Sequence, residues 1–179
     1  MSLRRRSLLG APLALLAAEA RAQKRLEIPL TWYVVQVEDS AFTVEMPGIP
    51  DHRILNDRSA RGTPFALHSY SLDIGGYSYA AQTALYPEDV DVTQPRLILQ
   101  SALNARAQRL SGGKWSKVEW RELSGASAAE SIGPLAGGKA LRQLVLLKGR
   151  RFASLAFLGA AAGVTGAEAE HFFKSFKLF

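Results

Sequence analysis

Three histidines, His52, His68 and His171, are the side chains of this chain best suited to metal ligation or to proton transfer near neutral pH. They stand in three separate stretches. No pair has the i, i+4 spacing that sets two ligands on one helix face, and no cysteine is present to complete a zinc set. Their spacing reads them as surface or hairpin residues. A nucleophile elbow, G-x-S-x-G on a strand-to-helix turn, has one near match in "GYSYA", Gly76 to Ala80. The final glycine is missing, and the stretch lies between two alternating apolar runs, so Ser78 lacks the exposed, strained turn an elbow needs; Ser127 has no better setting. Catalysis would then require a dispersed site, such as His68, Asp73 and Ser78 gathered by folding.

Charged clusters offer binding chemistry instead. "YPEDVDV" places Glu88, Asp89 and Asp91 within four residues, a candidate cation loop of hard oxygen ligands. It lacks the glycine and distal Glu of an EF-hand, and acidic residues just ahead of a helix also complement its positive end. Arg142, Lys148, Arg150 and Arg151 cluster in the sequence. On one face they would receive an anionic partner; dispersed, they would guard a sheet edge against pairing with other chains. Trp32, Trp115, Trp120 and the tyrosines suit core packing or an aromatic ligand cleft. No cofactor motif is found.

The 179-residue chain opens on three arginines, an apolar run from Leu8 to Ala18 and the small-x-small triplet Ala20, Arg21, Ala22. That order predicts a secretory signal peptide over residues 1–22, with a run too short to span a bilayer core that needs about 20 residues. Arg5 and Arg6, followed by Ser7, Leu8 and Leu9, match twin-arginine export. Loss of Arg4, Arg5, Arg6, Arg21 and Glu19 with the leader lowers the net charge from +6 to +3, which removes most of the case for nucleic acid as a partner. Without cysteine there are no disulfides, no thiol catalysis and no lipidated anchor. Residues 23–179 are the length of one domain.

Periodicity supplies the elements. "TWYVVQV" (Thr31 to Val37) and "AFTVEMPGIP" read as strands, the second stopped by Pro47, Gly48 and Pro50. Asp51 to Arg61 reads as a polar edge strand and a turn. Two alternating runs around Gly75 and Gly76 predict a hairpin whose core faces carry Tyr70, Leu72 and Ile74, and Tyr77, Tyr79, Ala81, Thr83 and Leu85. From Thr93 to Leu110 the period becomes helical, with Leu99, Leu103 and Leu110 in one stripe, Pro95 in the first turn, Arg106 and Arg109 in the last, and Gly112 and Gly113 beyond. "KWSKVEWREL" and a weaker run at Ala128 to Ile132 follow as strands. Leu141 to Lys148 and Arg151 to Leu158 form a second hairpin around Gly149 and Arg150. Thr165 and Glu168 have capping-box spacing ahead of a helix bearing Ala169, Phe172, Phe173 and Phe176, and Phe176 to Phe179 leave it as a closing strand. An outer-membrane barrel strand would need apolar residues two and four before Phe179, where Lys177 and Ser175 stand. Consecutive hairpins and two amphipathic helices predict an α+β fold, an antiparallel sheet covered by helices.

"AFTVEMPGIP", "HSYSLDIGGYSYAAQTALYP" and "HFFKSFKLF" resemble the motifs of PsbP-like exported bacterial domains: Phe-x-Val-x-apolar-Pro-Gly-x-Pro, a Tyr-rich hairpin and a terminal Phe-x-x-Ser-Phe-x-Leu. That group includes the extrinsic PsbP subunit of photosystem II and shares its α/β/α sandwich with a Ran-binding protein. The resemblance covers most of residues 23–179. Ala128 stands where the group's Gly-x-x-Gly-x-Glu segment, here Gly125 to Glu130, has its second glycine. The resemblance implies a soluble periplasmic, non-catalytic binding or accessory protein with a protein partner and no membrane anchor after cleavage. The alternatives are a periplasmic hydrolase with a dispersed site and a small-ligand carrier using an aromatic cleft.

Overall fold

The computed structural model describes residues 31–37 and 41–179; the expected leader and its cleavage site lie outside the described residues. The chain forms strands β1 (Tyr33–Gln36), β2 (Phe42–Met46), β3 (Asp51–Arg58), β4 (Pro64–Ile74) and β5 (Tyr77–Leu85), helix α1 (Pro95–Ala107), strands β6 (Lys117–Leu123), β7 (Ala126–Pro134), β8 (Lys139–Lys148) and β9 (Arg151–Ala160), helix α2 (Ala167–Lys174) and strand β10 (Lys177–Leu178). Seven strands make one antiparallel sheet in the order β3-β4-β5-β9-β8-β7-β6, and β1-β2-β10 make a small second sheet. The fold is α+β, an antiparallel sheet covered by two helices, as expected.

The hairpin turns follow from their glycines. Gly75 and Gly76 take φ of 62° and 85°, so both central residues of the β4–β5 turn sit where a side chain would strain the backbone. Gly159 serves another purpose: a Cβ there would lie 2.3 Å from the Tyr77 ring.

Strand β8 shows how the layers are built. Every residue from Ala140 to Leu147 is buried, the pattern of a strand covered on both faces. Leu144 and Leu146 join one core with Phe42, Val44, Met46, Tyr79, Leu155, Phe157, Ala169 and Phe172. Val145 and Leu147 join another with Leu99 and Leu103 of α1. The small sheet and α2 thus cover one face, and α1 covers the β7 and β8 part of the other.

Helix α1 buries Leu99, Leu103 and Ala107, a single stripe at spacings of four, begins on Pro95 and ends near Arg106. It packs on β7 and β8, and the Trp115 indole N–H donates to the Leu103 carbonyl at 3.0 Å. Helix α2 buries Ala169, Phe172 and Phe173. Full burial of a phenylalanine stabilises by roughly 2–3 kcal/mol, so this face carries the docking of so short a helix. The expected capping box does not form: Gly166 occupies the N-cap with no side-chain cap, because Thr165 belongs to the preceding turn. The chain leaves α2 at Lys174, and Phe176 still packs on Phe42 at 5.0 Å between centroids before β10 pairs with β2. The second sheet was not expected, since β10 joins strands more than a hundred residues away.

Candidate functional site

Strand alternation decides which of the sequence candidates meet. Asp73 and Ser78 are register partners across the β4–β5 hairpin, but His68, an odd number of residues from Asp73, points to the opposite face. The dispersed set His68, Asp73 and Ser78 is therefore not assembled. His68 instead meets His52, with Nε2 of His52 3.2 Å from Nδ1 of His68, and the His52 ring stacks on Tyr70 at 4.4 Å. His171 stacks on Trp32 at 4.0 Å and contacts Glu45 Oε2 at 2.6 Å. Among the described residues, no group of three or more potential ligands could hold a metal ion.

Glu88, Asp89 and Asp91 do not form a loop of convergent ligands. Asp89 accepts from the hydroxyls of Ser59 at 2.5 Å and Thr63 at 3.0 Å, which hold its carboxyl below the ordinary value. Asp91 accepts from the Thr93 hydroxyl at 2.6 Å and backbone N–H at 2.9 Å, with the same effect. Glu88 turns to Arg150 at 3.7 Å. The first two carboxylates tie down the loop before α1 rather than face one another.

Of the four basic residues, Arg142 parts from the other three. Arg142 is buried on the α2 face, bound to Glu130 at 2.6 Å and Glu170 at 2.6 Å, with its guanidinium 4.4 Å from the Phe173 centroid. It anchors α2 to the sheet. Lys148 is exposed at the end of β8. Arg150 donates to the Tyr86 carbonyl at 3.1 Å, and with Arg151, His68 and Phe65 it lines a groove of about 260 Å³. The aromatic side of the sheet is filled: Tyr79 meets Trp32, Phe157 and Phe172 edge to face, so the expected aromatic cleft is core.

A site the sequence reading missed lies on the α1 face. Because α1 sits over β7 and β8, the half of that face built by β3, β4, β5 and β9 is left open, and a cleft of about 500 Å³ runs between it and the helix. Its floor carries Gln82, Gln143 and Ser154; its walls carry Asp57 on the β3 side and Arg106 and Arg109 on the α1 side. Ser69, Gln82 and Ser154 follow one another across β4, β5 and β9 in register. They form a polar rung in which Gln82 donates to Ser69 at 3.2 Å and Ser154 donates to Gln82 at 3.3 Å. Gln143 is 3% exposed and its Oε1 has no hydrogen-bond partner among the described residues. Burial, and then the charge of Arg109, push the Arg106 guanidinium down from its ordinary value. The sequence carries only part of the signal: Gln82, Gln143 and Ser154 interrupt apolar strands, but it is the pairing of β5, β9 and β8 that sets them on one face.

Among solved structures, the chain is similar to the solution structure of cyanobacterial PsbP from Synechocystis sp. PCC 6803, with a TM-score of 0.55 over 84% of this chain and 94% of that one at 9% identity. At that identity the likeness establishes a PsbP-like fold. PA94 from Pseudomonas aeruginosa, a protein of unknown function, aligns over 78% of this chain and 90% of its own at 13% identity and a TM-score of 0.40. No family model matches the chain, and no curated protein matches it. Among the described residues, no helix is long and apolar enough to cross a membrane.

Proposed function

We propose that the chain is exported through its 22-residue leader and works in the periplasm as a single-domain, non-catalytic binding or accessory protein, with the cleft beside α1 as its working surface. The cleft carries this reading. A β-sheet face in the middle of a domain is normally closed by apolar packing, and here three central positions hold amide and hydroxyl groups opposite two arginines. The PsbP-like fold agrees with it, since the resemblance implies proteins that bind rather than turn over substrate. The leader's arginines and apolar run support export.

The full chain is produced in a bacterial host, its periplasmic fraction is recovered, and the mature protein is isotope-labelled and titrated with the small-molecule and macromolecular fractions of a periplasmic extract. A mature N-terminus at Gln23 and amide shifts concentrated on β4, β5, β8, β9 and the end of α1 are expected. Retention of the chain in the cytoplasm, or a spectrum unmoved at the cleft by either fraction, would overturn the reading.

A further inference from the structure

The walls of the cleft define what it can hold. Arg106 lies in the last turn of α1, and the Arg109 backbone N–H donates to the Arg106 carbonyl at 3.0 Å, so the chain is still turning and keeps the two residues on one side. Neither arginine has an ion-pair partner among the described residues. The negative end of the helix offsets about half of one charge, which leaves an excess of positive charge facing the cleft. Guanidinium groups bind carboxylate or phosphate through parallel N–H donors. Across the cleft, Asp57 contributes a negative charge, which disfavours an occupant that carries more than one.

The floor asks for hydroxyl groups. The Gln143 amide is buried with Oε1 unpartnered, and a buried polar atom without a partner costs about 1–3 kcal/mol. A ligand hydroxyl both donates and accepts, so it satisfies that amide in either orientation. Gln82 and Ser154 beside it, and Asp57 at the wall, are suited to further hydroxyls.

We propose that this cleft binds a polyhydroxylated monocarboxylate, a sugar acid in chemical class, with its carboxylate on Arg106 and Arg109 and its hydroxyls on Gln143, Gln82, Ser154 and Asp57. The proposal rests on the cleft being the working surface and adds the class of occupant.

The test titrates the labelled chain, purified from the periplasm, with D-galacturonate and quinate. Three probes each lack one feature: D-galactose has hydroxyls without the acid, cyclohexanecarboxylate has the acid without hydroxyls, and inorganic phosphate is an anion of another shape. Galacturonate or quinate should give saturable shifts at the cleft, with each of the other three at least about tenfold weaker, the worth of one charge-assisted or buried hydrogen bond. Arg106→Gln combined with Arg109→Gln, both at the rim, should weaken binding about tenfold or more while leaving the remaining spectrum intact. Gln143→Met should narrow the preference for quinate over cyclohexanecarboxylate. Absence of saturable shifts with both sugar acids would overturn the proposal, as would an equal response to cyclohexanecarboxylate or phosphate, or indifference to the paired arginine change. If extract still moves the cleft signals while both sugar acids fail, the ligand class falls and the binding function stands; if neither moves them, both fall.

Discussion

The hydroxyl of Tyr79 is carried into the core by a ring that touches Trp32, Phe157 and Phe172, and among the described residues no acceptor reaches it. Burial, followed by the charge of Glu168 and then Tyr77, raises its pKa to about 12. The folded state therefore holds the proton that the unfolded chain releases near pH 10. The stability tied to the neutral hydroxyl is complete below pH 10 and is lost as pH rises toward 12, by at most roughly 3 kcal/mol. Tyr79→Phe should raise stability at pH 7 by about 1 kcal/mol by removing an unsatisfied buried group. It should also flatten the fall between pH 10 and 12. The remaining slope belongs in part to Tyr86, whose pKa burial also raises. Urea unfolding at pH 7, 10 and 11.5 checks this; a variant as alkali-sensitive as the parent would refute it. At this scale the sequence spoke clearly for Tyr79 as a core residue, because it shares one face of a hairpin arm with Tyr77 and Ala81 at every second position. It was silent on the hydroxyl, whose partners would have to come from α2 and β9, far away in the chain.

Between the elements, Arg142 shows why a charged residue in a strand can mislead. In sequence it belongs with Lys148, Arg150 and Arg151, but those three lie at the hairpin turn, whereas Arg142 lies six residues before Lys148 in a strand covered on both faces. Its charge is met there by Glu130 of β7 and Glu170 of α2, with Arg121 of β6 completing the network at 3.0 Å from Glu130. The periodic parts of the fold were legible: both hairpins, α1 with Leu99 and Leu103 inward although the helix stops at Ala107 before the expected Leu110, and the inward phenylalanines of α2. What depended on two distant segments meeting was not, and the β1-β2-β10 sheet, the Arg142 anchor and the cleft are all of this kind. Arg142→Ala would leave Glu130 half-buried beside Arg121 alone and should cost about 3 kcal/mol or more, read as a lower urea midpoint. Hydrogen bonds from Arg142 first, then Lys174, lower the Glu170 pKa from its ordinary 4.5. Its contribution is therefore present above about pH 4.5 and lost as pH falls through the lower folded value. Glu170→Gln should be less stable than the parent at pH 7 and should lose less on acidification from pH 5 to pH 3. An unchanged acid limb would show that this pair, in part exposed, contributes nothing measurable.

Across the whole molecule, the seven-stranded sheet separates two packing zones. Phe172 of α2 is fully buried with Tyr79, Phe157 and Leu144 on one side; Leu103 of α1 is fully buried with Val145 and Leu147 on the other. Layers stack about 10 Å from a sheet, so the two side chains share no partner and meet only through the sheet, where Leu144 and Val145 of β8, and Ala128 and Ala129 of β7, are neighbours facing opposite ways. Phe172→Ala should cost about 3–5 kcal/mol and Leu103→Ala about 2–5 kcal/mol, the difference within each range depending on how far the cavity collapses. Because a rigid sheet lies between them, the double variant should lose the sum of the two within about 0.5 kcal/mol. If both variants unfold in one transition with unchanged denaturant slope, additivity means that the layers are energetically separate parts of one cooperative domain. The cleft gives the comparison a second readout. Leu103→Ala loosens the helix that carries Arg106 and should disturb cleft amides, whereas Phe172→Ala acts on the far face and should leave them in place. A large coupling energy, or cleft shifts from Phe172→Ala equal to those from Leu103→Ala, would show instead that the sheet transmits packing changes from one layer to the other.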